Sequence, residues 1–119
     1  MRVFSEQGIF ESGYIKTNNR TIVEVGSLEE LRDESGYQVI ELPPHYALLP
    51  GFIDVHIHGA NGADVMDASE EALNTMATSL PCEGTTSFLA TTMTQSHEKI
   101  ELAIEAAGYF IRKDQANNQ

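Results

Sequence analysis

Residues 49–59, Leu-Pro-Gly-Phe-Ile-Asp-Val-His-Ile-His-Gly, constrain this chain more than any other stretch. Pro50-Gly51 punctuates the chain, and a strand-like alternation follows it. Side chains alternate sides along a strand, so Ile53, Val55 and Ile57 are expected on one face and Asp54, His56 and His58 on the other. On a surface strand the polar face simply meets water. The surrounding residues instead suggest a strand of a parallel sheet, covered on both sides. A buried Asp-x-His-x-His row then needs partners, because an unpaired buried polar group costs about 2–7 kcal/mol. A single cation satisfies both imidazoles, since rings at i and i+2 can aim at one ion at about 2.0–2.1 Å for zinc. A His-x-His pair alone is common and decides nothing; its context carries the argument.

That context is an alternation of strand and helix. Asp67 or Ser69 caps a predicted helix with Glu70 in its first turn, and Leu73, Met76, Ala77 and Leu80 form one stripe. Met76 reads as core filler. Pro81 ends the helix, and Gly84 leads into 85–94, predicted as a second buried strand. Ser96 then caps a second helix with Ile100, Ala103, Ile104, Ala107 and Ile111 on one face. The order β-α-β-α predicts parallel strands joined by crossovers. The tail, 114–119, is polar and expected to fray.

Residues 1–48 read differently, as short strands separated by turns. Gly8–Phe10, Gly13–Lys16, Thr21–Val25 and Tyr37–Leu42 have strand composition, and Asn18-Asn19 signals a hairpin turn. Ser27 opens a helical turn over Leu28–Leu31. This is the composition of a small β-sandwich piece without a catalytic constellation of its own.

Charge and cysteine content narrow the function classes. The formal net charge is −11 with only seven Lys and Arg, which disfavours a nucleic-acid or anionic-membrane surface. The same balance offers little to hold a phosphate. Cys82, the only cysteine, permits no intrachain disulfide and is expected as a packed, inert thiol. The first residues lack the apolar stretch of a signal peptide, and no run approaches the ~18–20 apolar residues of a membrane span, so the expected location is cytoplasmic.

The run around His56 and His58 resembles the first barrel strand of the amidohydrolase superfamily. His58-Gly59-Ala60-Asn61-Gly62-Ala63-Asp64, with Glu83-Gly84-Thr85-Thr86-Ser87-Phe88-Leu89-Ala90-Thr91 after it, resembles the branch that deacetylates N-acetylglucosamine 6-phosphate. The Arg that follows the second His in dihydroorotase-type members is replaced here by Gly59-Ala60. The resemblance is specific over 48–94 and looser elsewhere.

It implies an α/β fold: the first two βα units of a (β/α)8 metal-dependent hydrolase barrel at 49–113, preceded by part of a small β-sandwich domain at 1–48. It implies His56 and His58 as ligands of a divalent metal, zinc or iron. Asp54 either supports those ligands or is satisfied by backbone N–H groups. Gly59 and Gly62 let a loop turn tightly at the site mouth, where Asp64 touches substrate or caps the next segment. Thr91, Thr92 and Thr94 end the second strand, as mouth residues or as ordinary β-formers. His45 and His97 match no ligand position. The resemblance places the remaining ligands, the general acid/base and the phosphate-binding groups beyond Gln119, so no catalytic residue is expected in this chain and an N-terminal fragment, inactive alone, is the expectation. The parent reaction it implies converts N-acetylglucosamine 6-phosphate to glucosamine 6-phosphate and acetate in a homodimer, with no nucleic-acid or membrane partner. Another amidohydrolase substrate, or a non-catalytic metal-binding or interaction fragment, remain as alternatives.

Overall fold

The computed structural model describes residues 1–117. Its contacts divide into two units, one spanning Met1–Pro50 and one starting at Gly51.

In the first unit, β1 (Arg2–Ser5) pairs antiparallel with β2 (Gly8–Phe10), and β3 (Gly13–Asn18) pairs antiparallel with β4 (Thr21–Ser27). Asn19, with φ +53°, sits in the left-handed region that a two-residue hairpin turn requires. β5 (Ala47–Leu48) adds a parallel partner to β1. Val3 is fully buried, and Gly13 is small for a reason: a Cβ there would lie 2.7 Å from Val3 Cγ2. Ser27 accepts from the Glu29 amide and opens a 3-10 turn at Leu28–Glu30, as its sequence predicts.

Residues Tyr37–Leu42 do not form the expected strand. A strand needs a neighbour for its backbone groups, and none of the described strands pairs with this segment, which leaves Ile40 73% exposed.

The second unit is built on a parallel pair, β6 (Phe52–Ile57) and β9 (Thr85–Ala90). Between them lie a tight hairpin, β7 (Gly59–Ala60) with β8 (Ala63–Asp64), a 3-10 turn at Val65–Asp67, and helix α1 (Glu70–Ser79). Ser69 caps α1 by accepting from the Ala72 amide at 3.2 Å. Helix α2 (His97–Asn117) closes the unit. Val65, Met76, Leu80 and Ala103 form its buried centre, and Ile57 and Phe88 pack against it from the strands.

Four expectations need correction here. The strands are not covered on both faces: Ile53 and Val55 are 67% and 68% exposed and Leu89 is 60% exposed, because the two helices and the hairpin supply only one covering layer. Strict alternation also fails. Asp54 pairs with Phe88 but Ile57 with Ala90, so three steps on β6 oppose two on β9, and such a bulge reverses side-chain parity within 54–57. The second strand ends at Ala90 and does not reach Thr94. On α2 the inward face runs through Ile100, Ala103, Ala107 and Phe110, while Ile104 and Ile111 are exposed, since small residues allow the closer approach to α1.

Two smaller points also differ. Residues 114–117 continue α2, because nothing after Gly108 breaks a helix; the last two residues of the expected tail lie outside the described residues. Cys82 is exposed, because the 3-10 turn Leu80–Glu83 buries Leu80 and leaves Pro81, Cys82 and Glu83 outward.

Two outcomes follow from this packing. Met76→Ala should cost about 2–5 kcal/mol of the second unit's stability, read from urea unfolding, because the side chain is fully buried and leaves a cavity. In the first unit, Glu24 accepts from Tyr14 and pairs with Lys16 at 2.7 Å, and these partners hold its carboxyl below the usual range. Its support of the β3–β4 hairpin is therefore present above the ordinary Glu value of about 4.3 and lost as pH falls through the lowered one. Hairpin chemical shifts in an acid titration should show that loss in the parent and not in Glu24→Gln.

Candidate metal-ligand pair

The end of β6 is where chemistry-bearing side chains meet. The rings of His56 and His58 are neighbours, with centroids 5.1 Å apart and planes at 88°. Two imidazoles bound to one tetrahedral zinc at about 2.0–2.1 Å would have centroids about 5 Å apart, so the pair has the spacing of two ligands on one ion. Among the described residues, no group of three or more His, Cys, Asp or Glu side chains is placed to hold a metal. The donor chemistry thus fits a divalent metal as part of its ligand set.

Local hydrogen bonds hold the two histidines differently. Asp54 Oδ1 accepts from the His56 backbone N–H at 3.0 Å, so the carboxylate is engaged by the chain itself. The His58 carbonyl accepts from the Val65 amide at 2.7 Å, and His58 Nδ1 lies 2.9 Å from the Thr91 carbonyl oxygen. The Thr91 amide in turn donates to the Ile57 carbonyl at 2.9 Å, which extends the parallel ladder past its last paired residues.

The loop beyond His58 is a hairpin and not an irregular turn. Asn61 and Gly62 take φ of +53° and +81°, the mirror-image turn that Asn-Gly favours. That dipeptide was the sequence signal for β7 and β8, and the expectation of a simple glycine loop missed it. Gly59 permits close approach: a Cβ there would lie 2.2 Å from the Ala63 carbonyl oxygen. Asp64 is occupied as a cap, since its Oδ1 accepts from Met66 N at 2.7 Å and Asp67 Oδ2 accepts from Asp64 N at 2.9 Å.

The threonines divide. Thr91 uses its hydroxyl on the Leu89 carbonyl at 3.0 Å and meets His58 through its backbone, a contact that residue type does not reveal. Thr92 is half-buried and Thr94 exposed. His45 is exposed with its ring edge against Tyr46, and His97 begins α2 with Nε2 3.1 Å from Glu101; neither joins the pair.

Removing the Asp54 carboxylate should loosen the His56 amide. We expect Asp54→Ala to raise hydrogen exchange at His56 several-fold, for a bond worth about 1 kcal/mol, and Asp54→Asn, which keeps an acceptor, to raise it less.

Comparison with known proteins places this geometry. The model of the amidohydrolase family matches residues 47–112, a span that contains both histidines, the hairpin and both helices' packed faces. That family is generally metal-dependent, and its fold is barrel-like. The chain is 45% identical over 102 residues to an N-acetylglucosamine-6-phosphate deacetylase of Bacillus subtilis (strain 168), covering 86% of this chain and 25% of that protein. It is 56% identical over 61 residues to a protein of the same name from Lysinibacillus sphaericus, covering 51% of this chain and 16% of the relative. A third, from Vibrio furnissii, is 40% identical over 87 residues, covering 71% and 22%. The chain therefore spans a quarter or less of the length of these relatives.

Proposed function

Because the chain belongs to the amidohydrolase family, we propose that it contributes the first metal ligands of a deacetylase that hydrolyses N-acetylglucosamine 6-phosphate to glucosamine 6-phosphate and acetate. The likeness over most of the chain to proteins of that name supports this reading, and the paired imidazoles at the end of a parallel strand carry it. Residues 49–113 would form the first two βα units of a (β/α)8 barrel, and residues 1–48 part of a small β-sandwich. Functional groups of such barrels gather at the C-terminal ends of the strands, which is where His56 and His58 lie.

His56 and His58 would hold a divalent metal, zinc or iron, through one ring nitrogen each. When bound it would supply Lewis acidity toward the acetamide carbonyl and lower the pKa of water toward neutrality. Asp54 steadies the His56 backbone, while Gly59 and Gly62 keep the following hairpin short beside the rings. No Lys or Arg occurs between Arg32 and Lys99, so the substrate phosphate takes its cationic partners from outside that stretch, in keeping with a homodimer whose neighbour assists. The general acid/base and the remaining ligands likewise come from outside this chain. An exposed, unpaired thiol at Cys82 suits a cytoplasmic setting, and no described helix is long and apolar enough to cross a membrane.

A graft tests the proposal. Residues 1–113 replace the matching segment of a full-length relative, and acetate release from N-acetylglucosamine 6-phosphate is followed. We expect release by the graft, a fall in kcat/KM of about 100-fold or more on His56→Ala or His58→Ala, and none from the isolated chain. A folded, metal-loaded graft that releases no acetate would sink the substrate assignment. Metal uptake without hydrolysis would favour a non-catalytic binding segment.

A further inference from the structure

His56 and His58 are equal in sequence but not in their surroundings. We infer that the backbone carbonyl of Thr91 sets which nitrogen of His58 is offered to a metal, making His58 the preformed ligand of the pair and His56 the adjustable one. The inference deepens the metal reading of this strand end and rests on it.

The argument starts from the 2.9 Å contact between His58 Nδ1 and the Thr91 carbonyl oxygen. A carbonyl carries no proton, so the ring must donate, and Nδ1 is the protonated nitrogen. In the neutral ring the lone pair is then confined to Nε2, the only nitrogen left to bind an ion. The acceptor is itself well held. Thr91 N–H donates to Ile57 O at 2.9 Å, the Thr91 hydroxyl donates to Leu89 O at 3.0 Å, and Val65 N–H holds the His58 carbonyl at 2.7 Å. The ring and the main chain of His58 are therefore tied to two separate segments: the residue that follows β9 and the turn after the hairpin. His58 is half-buried, whereas His56 is exposed and its backbone amide, not its ring, donates to Asp54.

Thr91 is thus a positioning residue, and it acts through its peptide group. A ligating imidazole whose other nitrogen donates to a carbonyl is oriented and made more basic, and loss of such a partner typically weakens metal binding about 10–100-fold. Side-chain replacement at 91 leaves the carbonyl in place. The informative change is an ester in place of the Thr91–Thr92 peptide bond, which makes the same carbonyl a poorer acceptor.

The experiment is nitrogen-detected NMR of the ring tautomers in the 119-residue chain, without metal and then with zinc, using the exposed His45 and His97 as references. His58 should show the Nδ1–H form in the parent and in Thr91→Ala. The ester should raise its Nε2–H population and weaken zinc binding about 10-fold, with the helical circular dichroism unchanged. On zinc addition His58 Nε2 should shift while Nδ1 keeps its proton, and His56 should lose the greater motion. An Nε2–H ring at His58 in the parent, or an unchanged tautomer ratio in the ester, overturns the inference even if zinc binds. An Nδ1–H ring at His58 together with a folded graft, its remaining ligands restored by the full-length relative, that takes up no zinc leaves the effect of the carbonyl standing and removes the metal reading instead.

Discussion

The parallel ladder between β6 and β9 is the constraint on which the second unit depends. Parallel strands cannot be joined by a short turn, so residues 58–84 must carry the chain back to the starting end. The sequence uses that span economically. A two-residue Asn61-Gly62 turn reverses the chain at once, Asp64 and Ser69 cap successive helical segments, and α1 returns with Leu73 and Met76 turned inward. Gly84, with φ +86°, then lets the 3-10 turn feed directly into β9. A Cβ at Gly51 would lie 2.2 Å from Thr86, so the first residue before β6 must also be small for the two strands to approach.

The same ladder places the candidate ligands. Its last bonds, from Thr91 N to Ile57 O and between Thr91 O and the His58 ring, join backbone pairing to ring orientation. Strand pairing and site geometry are in this way one feature, and a change that slips the register would move the rings as well. The bulge within 54–57 belongs to this arrangement, since it turns Ile57 toward the Met76 cluster while the chain continues to His58. Bulges are frequent where a strand must re-aim a side chain beside a functional site.

Much of this was legible in the residues. The Pro-Gly lead, the His-x-His pair, the Ser69 cap, the Leu73–Met76–Leu80 stripe and the Gly84 break all mark local preferences that survive folding. The hairpin β3–β4 likewise follows from its turn residues. What failed were inferences about cover. Ile53, Val55 and Leu89 read as buried strand residues because their composition suits a two-sided sheet, yet burial depends on which layers are present around them. Tyr37–Leu42 has the pattern of a strand, but pattern cannot provide the pairing partner. The α2 stripe was off by a fraction of a turn because Ala and Ile residues define two overlapping faces, and packing against α1 chose the one with smaller side chains.

The sequence alone therefore determined the β3–β4 hairpin, the strand that ends at the two imidazoles and the starts of the helices, because caps, breakers and turn residues act over a few residues. Tertiary structure decided the parity at the bulge, the capping role of Asp64, and the bond from Thr91 to His58. The cap of Asp64 is a choice between two local roles, but the bulge and the ring contact depend on register between segments more than thirty residues apart in the chain, where a backbone carbonyl, present at every position and marked by none, becomes the partner of one ring nitrogen.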